Sequence, residues 1–486
     1  MDIEGFAMMT LERLPFEPTD QQIKLVAALA RFCSLYTPMD TVFILNGYAG
    51  TGKTSVMGAL VGTLNHIGIP TKLMASTGRA AKVFSSFTGL PAYTIHRTIY
   101  RAPVLAPDGH WTSHVAENTH VNTVFIVDEA SMIGDGAADG SPNLLQDLLF
   151  YVYSGLNCKL ILLGDTAQLP PVGMEESPAM NPEVLKGQGM HVVRATITKT
   201  VRQKARSGIL YNATQLRRAL RSGKLVEPEI KISGFQDVAV VEPENLEEIL
   251  GRSFAEFGEK NTLLITRSNR RAADFNLAIR KIIYDREEEL CAGERLIIAK
   301  NNYYWTRPSV VETTSGNING ESESRRPMDF IANGDSCVVE KVFSIETHAI
   351  STFADVRLYF PDHDWRVDAK LNLDTLRSDT SGLPNEKREW LYRQALRDAG
   401  VDEDASPTAI RKVLKADPFY NALQVKFGYA VTCHKAQGGQ WPSVFVDMGY
   451  IPPEAYSTVD FFRWLYTAVT RATRRLTLIN PSVKIV

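Results

Sequence analysis

The chain has 486 residues, 44% of them apolar and 22% charged, which is typical of a globular protein with roughly two to four compact units. No run of about 18 uncharged apolar residues occurs, so no membrane span is predicted. The five cysteines lie far apart without a Cys-x-x-Cys pair, which argues against a disulfide framework or a zinc site and fits a reducing cytoplasm. A formal net charge of −2 leaves open a local basic channel for nucleic acid on a neutral body.

Residues 1–200 alternate between short apolar runs and helical patterns, as in a parallel α/β sheet. Strands are predicted at residues 41–45, 72–75, 123–127 and 159–163, and a helix at 55–67. Between Ile99 and Val121 a Pro-Asp-Gly turn lies among strand-like residues, which predicts a small β-hairpin inserted into this first domain. The histidines around this hairpin, His110, His114 and His120, lack a paired cysteine or acid, so we expect exposed polar residues rather than a metal site.

The second half predicts another α/β domain, interrupted by an insertion long enough to be an independent subdomain. We expect this domain at residues 201–300 and 428–486, with strands at 262–266, 429–431 and 444–447 and a helix at 268–284. The insertion, 301–427, begins with a polar loop at 301–329, becomes all-β at 330–365 and ends in a charged helical piece at 385–414.

Gly47-Tyr-Ala-Gly50-Thr-Gly52-Lys53-Thr54 satisfies the P-loop pattern and lies between a predicted strand and a predicted helix. In such a loop, backbone N–H groups and the helix N-terminus bind phosphates; Lys53 would reach the β- and γ-phosphates and Thr54 would hold Mg²⁺. The residues expected around ATP are Gly47, Ala49, Gly50, Thr51, Gly52, Lys53, Thr54 and Ser55. A chance glycine turn is the alternative, and the flanking elements disfavour it.

Two further predicted strands end in polar residues, where α/β sheets bind ligands. After the first come Asp128, a candidate Mg²⁺ ligand, and Glu129, a candidate base for the attacking water. After the second comes Gly-Asp165-Thr-Ala-Gln168-Leu-Pro-Pro, in which Gln168 could contact both the γ-phosphate and the water. Taken alone, the acidic pair could be a helix cap and the Gln168 segment a rigid loop; the P-loop upstream favours catalysis.

Segments near the C-terminus complete the pattern: Val431-Thr432-Cys-His434-Lys435-Ala-Gln437-Gly438 and Leu465-Tyr466-Thr-Ala-Val-Thr470-Arg471-Ala472. An arginine from a second domain can neutralise charge that develops on the γ-phosphoryl group. Arg471 and Arg202 are the candidates, whereas Arg474 and Arg475 fit a surface position.

In this order, the segments resemble the helicase motifs of superfamily 1, in the branch of the RecD-type and phage Dda-type 5′-to-3′ DNA helicases. Pro18-Thr19-Asp-Gln-Gln22 is similar to the family's adenine-recognising motif, with Gln22 as the match. The resemblance implies an α/β fold: two RecA-like parallel-sheet P-loop domains, the first with the hairpin and the second with an SH3-like mixed insertion. It also implies ATP and Mg²⁺ as cofactors, single-stranded and forked DNA as partner, a monomeric motor in a bacterial or phage-infected cell, and work in replication, repair or recombination. The expected DNA contacts are Thr77, Arg79, His96, Pro103, Trp111, Thr432, His434 and Lys435.

Two other classes remain open from the residues alone. A P-loop nucleotide kinase would explain Gly47–Thr54 but not Gln168, His434-Lys435 or Arg471. An ATP-driven switch or loader would bind DNA without unwinding it. A nuclease is disfavoured, because the sequence has no further acidic metal cluster outside the ATP site.

Overall fold

The structure, a computed structural model of the chain, describes residues 2–34, 37–101, 104–105, 111–112, 114–136, 143–200, 207–306, 330–348, 350–380 and 382–486. These residues form two compact units. Unit 1 comprises Met1–Ile99, Val115–Val241 and Ala436–Val486, and unit 2 comprises Tyr100–His114 and Glu242–Lys435. The domain bounds expected from the sequence differ from these units and stay a prediction.

The strands are β1 (Thr41–Gly47), β2 (Thr71–Ala75), β3 (Ala92–Thr94), β4 (Val104–Leu105), β5 (Trp111–Thr112), β6 (Val124–Asp128), β7 (Lys159–Gly164), β8 (His191–Ile197), β9 (Glu229–Ile230), β10 (Val238–Val241), β11 (Thr262–Thr266), β12 (Arg295–Ile298), β13 (Ser336–His348), β14 (Ser351–Phe360), β15 (Trp365–Asn372), β16 (Leu423–Phe427), β17 (Ala430–Thr432), β18 (Trp441–Asp447), β19 (Ala472–Ile479) and β20 (Lys484–Ile485).

The helices are α1 (Ile3–Glu12), α2 (Asp20–Cys33), α3 (Lys53–His66), α4 (Gly78–Thr88), α5 (Ile95–Ile99), α6 (Leu144–Ser154), α7 (Pro182–Gly187), α8 (Gly208–Ser222), α9 (Leu246–Phe257), α10 (Asn269–Ile282), α11 (Asp374–Arg377), α12 (Asn385–Asp398), α13 (Pro407–Ala416) and α14 (Val459–Val469). Within the described residues, no helix is both long enough and apolar enough to cross a membrane.

Unit 1 contains a six-stranded parallel sheet in the order β3-β2-β6-β7-β1-β8. Strand β1 is buried along its whole length, which suits a strand covered on both faces and explains its continuous apolar sequence. Helices α1, α2 and α3 cover the sheet with Phe6, Leu25, Leu29, Val56 and Leu60. Because β6, β7 and β1 are parallel neighbours, the carboxyl ends of all three meet at one edge.

The C-terminal segment of unit 1 forms a second parallel layer in which β19 lies between β10 and β18. Helix α14, which precedes β19, is buried from Phe461 to Val469 except at Arg463. A short parallel pair, β9 with β20, ties residues Glu229–Ile230 to Lys484–Ile485.

Unit 2 is built around a closed barrel, β12-β13-β14-β15-β16, beside the parallel pair β11 and β17. Its pairs are antiparallel except β15 with β16. The barrel confirms the predicted mixed insertion, although it begins at β12, ahead of residue 301. The guanidinium of Arg280, a residue of α10, pairs with Glu294, and both side chains are buried.

The charged helical piece predicted at 385–414 is a helical hairpin, α12 and α13, with its own small core of Ala395, Leu396, Ile410 and Leu414. Leu391 of α12 packs against Phe353 of the barrel. The inserted hairpin of residues 99–121 is confirmed in part: β4 and β5 pair antiparallel, with Leu105 opposite Trp111. Its turn, including His110, and most of the polar loop at 301–329 lie outside the described residues.

Candidate nucleotide site

The P-loop runs from the end of β1 into α3, and its backbone requires glycine at several positions. Gly50 and Gly52 adopt φ of 75° and 80°, the left-handed region that side chains rarely enter. Gly47 is required for a different reason, because a Cβ there would collide with the Lys53 side chain and lie 2.8 Å from Ile197. The loop therefore packs directly around Lys53, as a phosphate-binding loop must.

Lys53 points across the sheet edge, and its Nζ donates to the Gly164 carbonyl at the end of β7, 3.1 Å away. The contact follows from the topology, because β1 and β7 are neighbours with Asn46 opposite Gly164. The predicted phosphate-binding lysine thus lies where the second polar segment begins.

Gln22 is buried and bonded to the P-loop. Its Nε2 donates to the Thr51 carbonyl at 3.0 Å, and its Oε1 accepts from the Thr19 backbone at 2.9 Å in a capping box at the start of α2. Both ends of the amide are used within the protein, so Gln22 stabilises the loop; its expected contact with adenine stays a prediction. Gln21, which the sequence did not single out, holds the end of β8 through Thr198 and Lys199.

Asp128 and Glu129 follow β6 at the same edge. Asp128 accepts from the Glu129 backbone N–H at 2.9 Å, and the Ser76 hydroxyl donates to the Glu129 carbonyl at 2.7 Å. Burial and the neighbouring Glu129 carboxylate raise the pKa of Asp128 to about 6, against the opposing effect of Lys53. Glu129 itself has a φ of 53°, which is uncommon for a residue other than glycine.

Three buried oxygens at this edge have no hydrogen-bond partner: Glu129 Oε2, Ser131 Oγ and Gln168 Oε1. Buried polar atoms are normally satisfied, so such a cluster indicates a place for water or an ion. The Asp128 carboxylate and the Thr54 hydroxyl are hard oxygen ligands of the kind that Mg²⁺ binds. The three unpartnered oxygens could accept hydrogen bonds from the water molecules that such an ion keeps. The donor set therefore fits a magnesium ion beside the nucleotide.

The segment after β7 is bonded to the C-terminal helix α14. Asp165 is fully buried, and its Oδ2 accepts from the Tyr466 hydroxyl at 2.7 Å. The same hydroxyl oxygen accepts from the Ala49 N–H of the P-loop at 3.0 Å. We call this connection, Ala49–Tyr466–Asp165, the tyrosine relay. Burial and the Asp165 carboxylate raise the pKa of Tyr466, so its hydroxyl keeps the proton that it donates.

Leu169, directly after Gln168, is held by the same C-terminal segment. The Leu169 N–H donates to Thr467 Oγ1 at 2.9 Å, and the Leu169 carbonyl accepts from Gln437 Nε2 at 2.7 Å. All of these groups are buried. The loop that carries Gln168 is thus fixed through both backbone groups of Leu169 by residues more than 260 positions later in the chain.

Arg471 is buried at 3% exposure, and its guanidinium donates to the Thr467 and Gly439 carbonyls and to Thr470 Oγ1. In this structure Arg471 therefore stabilises the end of α14, and its expected role at the γ-phosphate stays a prediction. Arg202, the other candidate, lies outside the described residues. Arg217 of α8, which the sequence did not single out, lies 4.6 Å above the ring of Tyr48 in the P-loop.

Of the expected DNA contacts, Thr77 caps α4 by accepting from Ala80 N at 3.2 Å, and Arg79 lies 4.1 Å above the ring of Trp441. His96 is on α5, where burial lowers its pKa and favours the neutral form. In unit 2, Thr432 ends β17, His434 is exposed and Lys435 is half-buried. Pro103 and the side chain of Trp111 lie outside the described residues.

Tyr466, Asp165 and Ser76 form hydrogen bonds at this site, although the motifs alone assigned no role to them. Tyr466 and Asp165 stood within quoted motifs, but nothing in their spacing shows that they touch, because 301 residues separate them. The residues predicted around ATP, by contrast, come together at one edge of the sheet.

A P-loop between a buried strand and a helix, with an acidic pair and a polar loop on neighbouring strands, defines an ATP-binding α/β protein of the P-loop class. The AAA domain family matches residues 20–232, and the UvrD-like helicase C-terminal domain family matches residues 427–479. A stretch of 170 residues is 32% identical to the ATP-dependent RecD2 DNA helicase of Deinococcus radiodurans. The chain therefore carries an AAA domain and a UvrD-like helicase C-terminal domain, and part of it is similar to an ATP-dependent DNA helicase.

The match to RecD2 covers 35% of this chain and 21% of that protein, so the chain spans about a fifth of its length. An uncharacterized protein of Acanthamoeba polyphaga mimivirus is 23% identical over 490 residues, covering 90% of this chain and 94% of that one. Among solved structures, the Pif1 helicase from Bacteroides in complex with ADP-AlF3 and ssDNA is 13% identical, with a TM-score of 0.45, over 96% of this chain and 93% of that one.

Proposed function

We propose that the chain is an ATP-dependent DNA helicase that moves 5′ to 3′ along single-stranded DNA and unwinds duplex DNA. The observation that carries the proposal is the tyrosine relay together with the Leu169 contacts. These bonds join the P-loop and the Gln168 loop directly to a segment that matches a helicase C-terminal domain. A nucleotide-dependent change at the P-loop would therefore reach that segment through buried hydrogen bonds.

The residues at the sheet edge support hydrolysis as follows. The P-loop N–H groups and Lys53 bind the phosphates, and the Thr54 hydroxyl and Asp128 carboxylate would hold Mg²⁺, which neutralises phosphate charge when bound. Glu129 takes a proton from the attacking water, and the Gln168 amide orients that water. The unpartnered oxygens of Glu129 and Gln168 are available for this water.

Arg202 and Arg471 remain the proposed arginines for charge that develops on the γ-phosphoryl group. In Arg471 this role requires the guanidinium to leave the Thr467 and Gly439 carbonyls. An arginine of this kind contributes about 10³-fold or more to hydrolysis. Turnover of Arg202→Ala and Arg471→Ala within a few-fold of wild type, in folded variants, would reject the role.

ATPase assays with and without single-stranded DNA test the enzyme class. We expect hydrolysis that single-stranded DNA stimulates and that Lys53→Ala abolishes, since the substitution removes the charge beside the phosphates. Lys186→Ala is the matched control, because Lys186 is exposed on α7 and forms a surface ion pair with Glu183. A nucleotide kinase would instead transfer phosphate to a small acceptor without a response to DNA.

Unwinding assays test the motor and its direction. A duplex with a 5′ single-stranded tail should be separated, whereas one with only a 3′ tail should not. A switch or loader would show DNA-stimulated hydrolysis and no strand separation on either substrate. Separation restricted to the 3′-tailed duplex would contradict the proposed polarity and leave the ATPase intact.

A further inference from the structure

Unit 2 contains a polar cavity between α10, β16, β17 and the loop that follows α11. It offers about 380 Å³ of space, part of it open to solvent. Its polar lining consists of Asn269, Asn276, Ser378, Lys426, Thr432 and Lys435. Among the described residues that line the cavity there is no carboxylate, so its wall presents amide, hydroxyl and ammonium groups to whatever enters.

Two of these groups are lysines from different parts of the fold. Lys426 comes from barrel strand β16, between the buried residues Val425 and Phe427, and Lys435 follows β17. Burial, with repulsion from Lys435, lowers the pKa of Lys426 to about 8, against the attraction of the exposed Asp379. Burial also lowers the pKa of Lys435. Two partly buried ammonium groups in one cavity destabilise each other, and an anion between them would relieve that cost.

Helix α10 adds to the positive electrostatic potential in the cavity. It begins at Asn269, in the cavity wall, with Ser268 as its N-cap. The N-terminus of a helix carries partial positive charge and N–H groups without intrahelical partners, both of which favour an anion. The Lys426 ammonium donates one of its three N–H groups to the Ser378 carbonyl.

We propose that this cavity is a phosphodiester subsite, in which Lys426 of the barrel and Lys435 beside β17 bind a backbone phosphate of single-stranded nucleic acid. The proposal rests on the proposed function and extends it. It gives the inserted barrel a direct part in holding the strand, through a residue, Lys426, that no motif indicated. A phosphodiester suits the cavity, because part of the cavity is open to solvent and two ammonium groups line its wall.

The test is the salt dependence of single-stranded DNA binding by the full chain, measured by fluorescence anisotropy with a labelled oligothymidylate at pH 7. Lys426→Gln should weaken binding and make the plot of log affinity against log salt concentration shallower by about 0.7, the value for one phosphate contact on a single strand. Lys412→Gln, on the exposed side of α13, is the matched control and should keep the wild-type slope.

A pH series separates a charge contact from a packing effect. Wild-type affinity should fall as the pH rises from 7 to 9, because Lys426 loses its proton near pH 8 in the free protein. Lys426→Arg keeps its charge over this range, so its affinity should fall less. The remaining fall would come from Lys435, which is the other titratable group lining the cavity.

Inorganic phosphate at matched ionic strength distinguishes a site for free phosphate from one for a nucleic-acid backbone. If phosphate raises the unfolding temperature of the wild type but not of Lys426→Gln, while both bind DNA with the same salt slope, the phosphodiester assignment is wrong. An unchanged slope and an unchanged pH profile in Lys426→Gln would also overturn it. Failure of the wild type to bind single-stranded DNA at all would contradict the proposed function itself, and the subsite with it.

Discussion

Tyr466→Phe removes the hydroxyl at the centre of the tyrosine relay and leaves the ring in place. In the wild type that hydroxyl donates to Asp165 at 2.7 Å and accepts from Ala49 N–H at 3.0 Å. Phenylalanine would leave the fully buried Asp165 carboxylate with the Ala167 N–H as its remaining bond in the structure, and would leave the Ala49 N–H unpaired.

The cost follows from these two losses. A buried hydrogen bond to a charged group contributes about 1.5–3 kcal/mol, and an unpaired N–H in a half-buried position costs about 1 kcal/mol more, so the free energy of unfolding should fall by roughly 2.5–4 kcal/mol. The ATPase kcat should fall more than the affinity for ATP, because the P-loop residues that bind phosphate remain.

Urea unfolding of the wild type and Tyr466→Phe measures the change, with Tyr211→Phe as control, since Tyr211 is exposed on α8. A double-mutant cycle with Asp165→Asn then isolates the pair, for which we expect a coupling of about 0.5–3 kcal/mol. Strict additivity of the two substitutions, or a loss below about 0.5 kcal/mol in Tyr466→Phe, would refute the reasoning.

Four more outcomes are expected. Glu129→Gln should bind ATP normally but hydrolyse it about 10²–10⁴-fold more slowly, because an amide cannot accept the proton of the water; near-normal turnover would rule out Glu129 as the base. Gly47→Ala should lower ATP affinity in a titration with a fluorescent analogue, since its Cβ displaces Lys53, and unaltered affinity would contradict the packing described. Arg280→Ala should destabilise unit 2 by up to about 3–5 kcal/mol in chemical unfolding, because the buried Glu294 would keep only the more distant Arg286 guanidinium at 3.9 Å and the Cys291 N–H. Arg252→Ala, in an exposed pair, should cost about 0–1 kcal/mol, and equal effects would argue against the buried pair. Trp111→Ala should reduce duplex unwinding more than DNA-stimulated ATPase if the hairpin separates the strands, and parallel loss of both activities would count against that role.

The P-loop and its flanking elements could be predicted from the sequence because their signals are local. A continuous apolar run gives a strand buried on both faces, and the glycines and Lys53 follow within a few residues. The predicted strand at 41–45 and helix at 55–67 differ from β1 and α3 by two residues at their inner ends. Strand β8 was missed because it is an edge strand with exposed polar positions, so its sequence lacks the buried-strand pattern.

The bonds that complete the site could not be predicted, because they join distant segments. Spacing gives no sign that Tyr466 meets Ala49 or that Gln437 meets Leu169. Arg471 shows the same limit: resemblance placed its charge at the nucleotide, whereas its described contacts are carbonyls of its own segment. Such contacts depend on tertiary packing, which a motif does not record.

The separation of 417 residues between Ala49 and Tyr466 also bears on the order of folding. The six-stranded sheet needs only residues up to 197, so it can form early while the chain is being made. Contacts that close so long a loop form late, because the entropy of closure is lost before they contribute. The N–H groups of Ala49 and Leu169 must therefore remain with water until α14 docks. During refolding, native sheet structure should accordingly precede the ability to hydrolyse ATP.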